Sequence, residues 1–301
     1  MAPRILSVGD HGRAERIATL FDPGTHRVIT STRSFVTHSG TYNSIPVSVI
    51  ATGMGAPMID FVVRETRAII EGPMVMLRYG TCGGLQDTPE GTVVIPSQGS
   101  ILIRRDPDSV GHAIEQQIFT SSSSDNPLTS PRVPFVGRNP TPTCPYSVSH
   151  AVLPHKELST LLYNRMKIHI DQRPSLIKSN DKNQVSVFTV MTGMDATADS
   201  FYSSQGRTNN SFYDNNENLL ERIETGEPLL RSLQMETFHL FDLARASRKD
   251  LNRYIAASAA AIVIVNRNSG KVIAKQDVEM LEIEGGRACL ETLTTFDLST
   301  A

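Results

Sequence analysis

Three arginines in the first third of the chain stand beside glycines and hydroxyl side chains. VGDHGRAER places Arg13 shortly after Gly9, STRSF holds Arg33, and LRYGTCGG places Arg78 just before Thr81. A guanidinium offers a planar fork that meets phosphate oxygens two at a time. Backbone N–H groups in glycine turns and at helix N-termini add neutral donors for an anion. Each charge-assisted hydrogen bond contributes roughly 1.5–3 kcal/mol, so a few together can hold a phosphate dianion against its hydration. GTCGG is neither a Walker loop nor a GxGxxG fingerprint, so nucleoside triphosphates and dinucleotides lack their motif. Further on, SSQGR carries an amide and a cation, Gln205 and Arg207, in one short polar loop, and QMETF carries the carboxylate Glu236.

Positioning these groups requires a frame. Short apolar runs without clean alternation, at Arg4–Val8, Ile45–Ala51, Met74–Leu77, Thr92–Ile95, Gln184–Met191 and Ala259–Val265, read as strands covered on both faces. Helical patterns fall between them at Gly12–Phe21, Pro57–Ile70, Lys156–Lys167 and Glu236–Arg248. This alternation predicts an α/β chain with helices on both faces of the sheet. PMVML is expected to end as a strand at Leu77, with GTCGG as a glycine turn and Cys82 a small residue fitting it. Thr120–Pro145, rich in Ser, Pro and Thr, reads as a flexible insertion around residues 120–146 within a single domain spanning 1–301. Thr208–Glu217 reads as a polar loop.

Bulk properties exclude several classes. The 301 residues are 39% apolar and 20% charged, with a net charge of −2, which gives no reason to expect nucleic acid or an anionic membrane as partner. No apolar run approaches the roughly 20 residues that span a bilayer. MAPRILSVGD lacks the apolar core of a signal peptide. Cys82, Cys144 and Cys289 are too few and scattered for a disulfide framework or a cysteine-rich zinc site. A cytoplasmic location is expected.

The motifs together resemble the nucleoside phosphorylase-I family, and within it the uridine-cleaving branch. GDHGRAERIA is similar to the family's GDPxRxxxIA, ATGMGAP to STGxGxP, RYGTCGG to RIGTxGG, and DSFYSSQGR to DxFYxGQxR. QMETFHL sits where the family has an EMES-type segment, and IVIVNR matches the ending of the uridine-cleaving branch. The resemblance implies a single-domain three-layer α/β/α fold with a mixed, partly barrel-like central sheet. It implies phosphorolysis of uridine by phosphate, through an oxocarbenium-like transition state, to uracil and ribose 1-phosphate.

Residue by residue, the resemblance assigns phosphate to Gly9, Arg13, Arg78 and Thr81, with Arg33 lent by a neighbouring subunit in a homo-oligomer of at least two chains. It assigns ribose to Met235, Glu236 and Thr81, and the base to Phe201, Gln205, Arg207, Ile264 and Val265. Arg78, Arg207 and Glu236 would carry the catalysis. No cofactor is implied beyond phosphate as co-substrate, and no metal, because Ser34 and Met58 stand where bacterial members bind a monovalent ion. Purine-cleaving relatives place an aspartate where this chain has Asn266-Arg267. Two departures stand out: Asp10-His11 replaces Asp-Pro, and Gln234 replaces the first glutamate of the EMES-type segment. The first keeps the glycine and the arginine of the turn; Gln234, together with the missing N-terminal histidine segment of bacterial members, leaves two alternatives open, a nucleoside-binding paralogue without catalysis and a phosphorylase of shifted specificity, toward deoxyuridine, thymidine or another nucleoside.

Overall fold

The computed structural model describes residues 1–109, 144–175, 187–208, 210–248 and 252–298. The strand β5 (Met74–Gly84) organises it. Its apolar first half is flanked by two parallel neighbours, β1 (Arg4–Val8) and β12 (Ile255–Asn266). β1 also pairs in parallel with β4 (Ile45–Ala51), which continues to β3 (Val36–Tyr42) and β2 (Arg27–Thr30) in antiparallel register. Side chains alternate along β5 with a period of two. Val75, Leu77 and Tyr79 join a core with α1 (His11–Ala18), α3 (Lys156–His169) and α6 (Lys275–Thr295). Met74 and Met76 join a second core with α2 (Ala56–Ile69) and α5 (Thr237–Ser247). Helices therefore cover both faces of the sheet, which explains why its strands read as unbroken apolar runs.

β5 does not end at Leu77. It runs straight through GTCGG, paired with β12 along its whole length, from Ile255 opposite Met74 to Asn266 opposite Gly84. The glycines answer close approach, not a turn: a Cβ on Gly83 would lie 2.9 Å from Arg267 Cγ, and one on Gly84 would lie 2.5 Å from the Thr88 carbonyl oxygen. Cys82 is a buried strand residue, and burial pushes its thiol pKa well up, away from the reactive thiolate.

Past Leu77 the sheet curls. β11 (Leu230–Gln234) pairs with the far end of β5 and with β10 (Met194–Ala198). On the other side β12 pairs with β6 (Val93–Ile95), and β6 with β9 (Val190–Thr192). β9 and β10 are separated by Gly193 alone, so the ring β5–β12–β6–β9/β10–β11 closes on itself. This is the partly barrel-like, mixed sheet that the motifs implied. β7 (Ser100–Arg105) and β8 (Tyr146–Val148) extend it beyond β10. The expected insertion lies outside the described residues over 120–143; Cys144, Pro145 and Tyr146, its last three residues, are buried. The described part of Thr208–Glu217 is a loop, and α4 (Leu219–Gly226) follows it.

The long helix α6 has no counterpart among the sequence expectations. Its centre, EGG, weakens the helical signal by about 1 kcal/mol per glycine. The packing requires both: a Cβ on Gly285 would sit 2.0 Å from Tyr79 Oη, and one on Gly286 2.5 Å from Ile17 Cγ1. Gly285→Ala should destabilise the protein by about 1–3 kcal/mol through overpacking, read as a lower urea midpoint at unchanged slope. An unchanged midpoint would show that α6 is not pressed onto β5 as described.

Candidate active site

The C-terminal ends of β1, β4 and β5 gather around a cleft of about 340 Å³. In open parallel sheets this edge is where ligands bind. β1 delivers Gly9, and α1 starts two residues later, capped by Asp10, whose carboxylate accepts the Arg13 N–H at 2.8 Å. Arg13 is buried, and its Nε donates to Glu282 Oε1 of α6 at 2.9 Å. Arg16 pairs with the other oxygen of Glu282. Glu282, shared by the two arginines, and Asp10, whose Oδ2 lies 3.3 Å from Arg13 Nη2, together orient the Arg13 guanidinium and offset its charge. Nothing in the sequence pattern of α6 marks Glu282 for this task.

Arg78 continues the Met74–Met76 face of β5, the face that carries α5. Its Nη1 donates to Ser7 Oγ at 3.2 Å and Thr52 Oγ1 at 3.0 Å, and its Nη2 meets Glu236 Oε2 at 3.0 Å. Glu236 is 4% exposed, and its Oε1 accepts the Gly55 N–H at 2.6 Å. Gly55 caps α2 at φ 92°, a conformation that L side chains resist, so ATGMGAP owes its second glycine to this contact.

The SSQGR segment forms a 3-10 turn at Ser203–Gln205, ended by Gly206 in the left-handed region. Asn216 holds it from the neighbouring loop, donating to the Ser203 and Arg207 carbonyls at 3.0 and 3.1 Å. The Arg207 guanidinium lies 4.3 Å over the Phe201 ring. Such stacking fixes the plane of the cation. Arg267, which the sequence reading used only as a marker against purines, takes part directly. Its Nη2 donates to the Gln205 carbonyl at 2.9 Å, and its Nη1 faces Gln205 Oε1 at 3.5 Å. Burial and the like charge of Arg207 pull the Arg267 pKa down. A bulge in β12 between Val263 and Val265 makes Ile264 the extra residue and turns it onto the cleft.

Beneath these groups lies a buried polar network centred on Asp195. Asp195 is 1% exposed. Its carboxylate accepts from Ser100 Oγ (2.6 Å), Thr197 Oγ1 (3.1 Å), Ser232 Oγ (2.8 Å) and Gln234 Nε2 (2.6 Å). All four donors are neutral, and among the described residues no cation pairs with Asp195. Burial therefore pushes its pKa up to about 6, with the hydrogen bonds pulling the other way. Gln234 Oε1 in turn accepts the N–H groups of Glu236 and Thr237, and Thr197 Oγ1 accepts that of Phe238 at 2.9 Å. Together they cap α5, whose own N-cap residue makes no side-chain cap.

Every expected site residue but one opens on this cleft: Gly9, Arg13, Arg78 and Thr81, Met235 and Glu236, Phe201, Gln205 and Arg207, Ile264 and Val265. Arg33 lies elsewhere, exposed, ion-paired with Glu65 at 3.0 Å and 4.6 Å over the Phe61 ring. Asn266 is buried against the 86–88 segment, where its Nδ2 donates to the Thr88 carbonyl at 2.9 Å. His11 is an exposed first residue of α1.

The fold and this cleft define a nucleoside phosphorylase-like protein. A sequence model described as Phosphorylase superfamily matches residues 3–284, and the chain belongs to that superfamily. A solved structure from a structural and catalytic analysis of two uridine phosphorylases of the oomycete Phytophthora capsici is 38% identical. It superposes with a TM-score of 0.81 over 99% of this chain and 91% of its own. A uridine phosphorylase of Treponema pallidum is 41% identical over 92 residues, 30% of this chain and 34% of that relative. A DeoD-type purine nucleoside phosphorylase of Oceanobacillus iheyensis is 36% identical over 104 residues, 33% of this chain and 42% of the relative. The chain thus matches less than half the length of either curated relative. No helix among the described residues is long and apolar enough to cross a membrane.

Asp195 titrates at about 6 when folded against 3.8 as its reference value. Folding therefore favours its protonated form: that contribution is full below the reference value and is lost as pH rises through 6. The shift amounts to about 3 kcal/mol. Asp195→Asn removes it, so the stability of the variant relative to the parent should climb by about 3 kcal/mol between about pH 4 and about pH 7 in urea titrations. A difference that stays constant across that window would exclude Asp195 as the titrating group.

Proposed function

We propose that the protein is a pentosyltransferase that cleaves uridine by phosphorolysis, giving uracil and ribose 1-phosphate. The observation that carries this reading is that motifs far apart in sequence put phosphate-, sugar- and base-type partners on one cleft of about 340 Å³. Arg13, Arg78, Thr81 and the Gly9 turn would hold the phosphate dianion. Glu236, one hydrogen bond from Arg78, would accept from the ribose hydroxyls, with Met235 against the sugar, and favour positive charge building on the ring. Phosphate oxygen then bonds to C1′ as the C1′–N1 bond breaks, and the electron pair leaves on uracil. Arg207 is placed to stabilise that charge. Arg267 occupies the oxygen side of the Gln205 amide, which turns its N–H groups to a pyrimidine carbonyl. Phe201, Ile264 and Val265 supply the apolar walls. Written this way, the reaction uses phosphate as co-substrate and needs no metal or organic cofactor.

Residues 1–301 would form one catalytic domain working in the cytoplasm, an environment that suits three buried free cysteines. Arg33 would complete the phosphate site of a second copy. Supporting this is its position beside a groove lined by Ile29, Phe35 and Ile69, where Ile29 and Ile69 are exposed.

Purified protein should release uracil from uridine only when inorganic phosphate is present, with inosine inert. Release from neither nucleoside, or release without phosphate, would overturn the reading. Arg207→Ala should lower kcat/KM for uridine roughly 10²–10³-fold, as loss of a donor to developing charge does, while KM for phosphate stays within about threefold. Equal losses for both substrates would undo the assignment. Arg78→Lys keeps a charge beside Glu236 but loses the fork, so KM for phosphate should rise at least about tenfold in a folded protein. An unchanged value would remove Arg78 from the phosphate site.

A further inference from the structure

Gln234 is the last residue of β11 and the hinge of the cleft's sugar side. Its amide is used at both ends. Nε2 donates to Asp195 Oδ2 at 2.6 Å and to Thr197 Oγ1 at 2.8 Å. Oε1 accepts from the backbone of Glu236 and Thr237. An amide can sit either way round in a site of its size. Here only one way works, because an ionised carboxylate only accepts and the first turn of a helix only donates.

We propose that Asp195 is a positioning residue for uridine phosphorolysis: its carboxylate fixes which way the Gln234 amide faces, and that amide holds the Glu236 backbone so that the Glu236 side chain meets Gly55 and Arg78. The role rests on the reading of the cleft given above. Asp195 touches no substrate group; it acts through Gln234. The chain of contacts runs from Ser100, Thr197 and Ser232 to Asp195, then Gln234, then Glu236, and ends at Arg78.

The arrangement accounts for an amide at position 234 in this chain. A glutamate there would set a second carboxylate oxygen about where Nε2 now lies, 2.6 Å from Asp195. Two carboxylates at that distance do not both ionise. Either they share a proton or the 234 side chain swings out and releases the Glu236 and Thr237 N–H groups. The acid and the amide are nevertheless interchangeable as a pair. In D195N/Q234E the carboxylate at position 234 caps α5 and accepts from the amide nitrogen at position 195, while the Ser100 and Thr197 hydroxyls, which now donate to Asp195 Oδ2, turn to donate along Ser100–Thr197 and on to the carboxylate at position 234.

The test is a cycle of four proteins: the parent, D195N, Q234E and D195N/Q234E. With uridine and inorganic phosphate at about pH 7.5, Q234E should lose at least about tenfold in kcat/KM for uridine, and the double variant should return to within about threefold of D195N. Rescue of this kind separates a positioning pair from two independent structural residues, whose losses would multiply. Full activity in Q234E alone, or a double variant as impaired as the product of the singles, would overturn the proposal. If Q234E does not fold, a folded and active double variant supports the proposal, and an unfolded or inactive one overturns it. A parent that leaves uridine intact would overturn the phosphorolysis reading. The affinity of the same four proteins for uridine, by calorimetry, then decides the positioning role: a fall in Q234E and recovery in the double variant support it, and equal affinity in all four overturns it.

Discussion

The buried ion pair of Arg78 and Glu236 is the contact on which the cleft depends. It joins the middle of β5 to the start of α5 and, through Gly55, to the start of α2. A buried pair of this kind gives little net stability, because desolvation offsets much of the attraction; removing one partner, however, costs about 3–5 kcal/mol by stranding the other charge. The structure surrounds both charges with fixed partners. Ser7 and Thr52 receive the Arg78 donors, and backbone N–H groups meet the Glu236 oxygens. A phosphate bound at Arg78 and a ribose bound at Glu236 would therefore be adjacent by construction, which is what positioning a nucleophile beside its target atom requires.

Charge is balanced unevenly along the cleft. Arg13 and Arg16 share the Glu282 carboxylate, Arg13 also meets that of Asp10 at 3.3 Å, and Arg78 has that of Glu236. Arg207 lies over an aromatic ring, and Arg267 donates to a backbone carbonyl. Among the described residues neither of these last two shows an ion pair with a carboxylate. The phosphate-type end is thus close to neutral before an anion arrives, whereas the base-type end carries net positive charge. On the proposed reaction that is the useful order, since the leaving pyrimidine gathers its negative charge only as the bond breaks, and stabilisation reserved for that moment speeds the step.

Much of this was legible in the sequence. β1 and β4 have the expected limits, and glycines, arginines and the QMETF carboxylate marked the cleft well because each owes its type to local chemistry. What stayed hidden depends on partners distant in sequence. GTCGG reads as a turn until β12 is seen alongside it, because glycine inserted for close approach looks like glycine inserted for flexibility. α6 lacks a helical signal for the same reason at Gly285 and Gly286. β2 reads as nothing in particular because all four of its residues are exposed. Glu282, Arg267 and Asp195 carry no local signal, since each is defined by the side chain it faces 269, 62 or 39 residues away.

The central claim is that Arg78 belongs to phosphate and Glu236 to the sugar, although each now holds the other. Titration calorimetry of inorganic phosphate into the parent and Glu236→Gln tests it most directly. The substitution frees Arg78 from its carboxylate and removes a negative charge from the anion site. The account predicts phosphate affinity equal to or greater than the parent's, together with uridine turnover reduced at least about a hundredfold. Phosphate affinity lost in step with turnover would contradict it, and would make Glu236 part of the anion site's own scaffold instead of the sugar's partner.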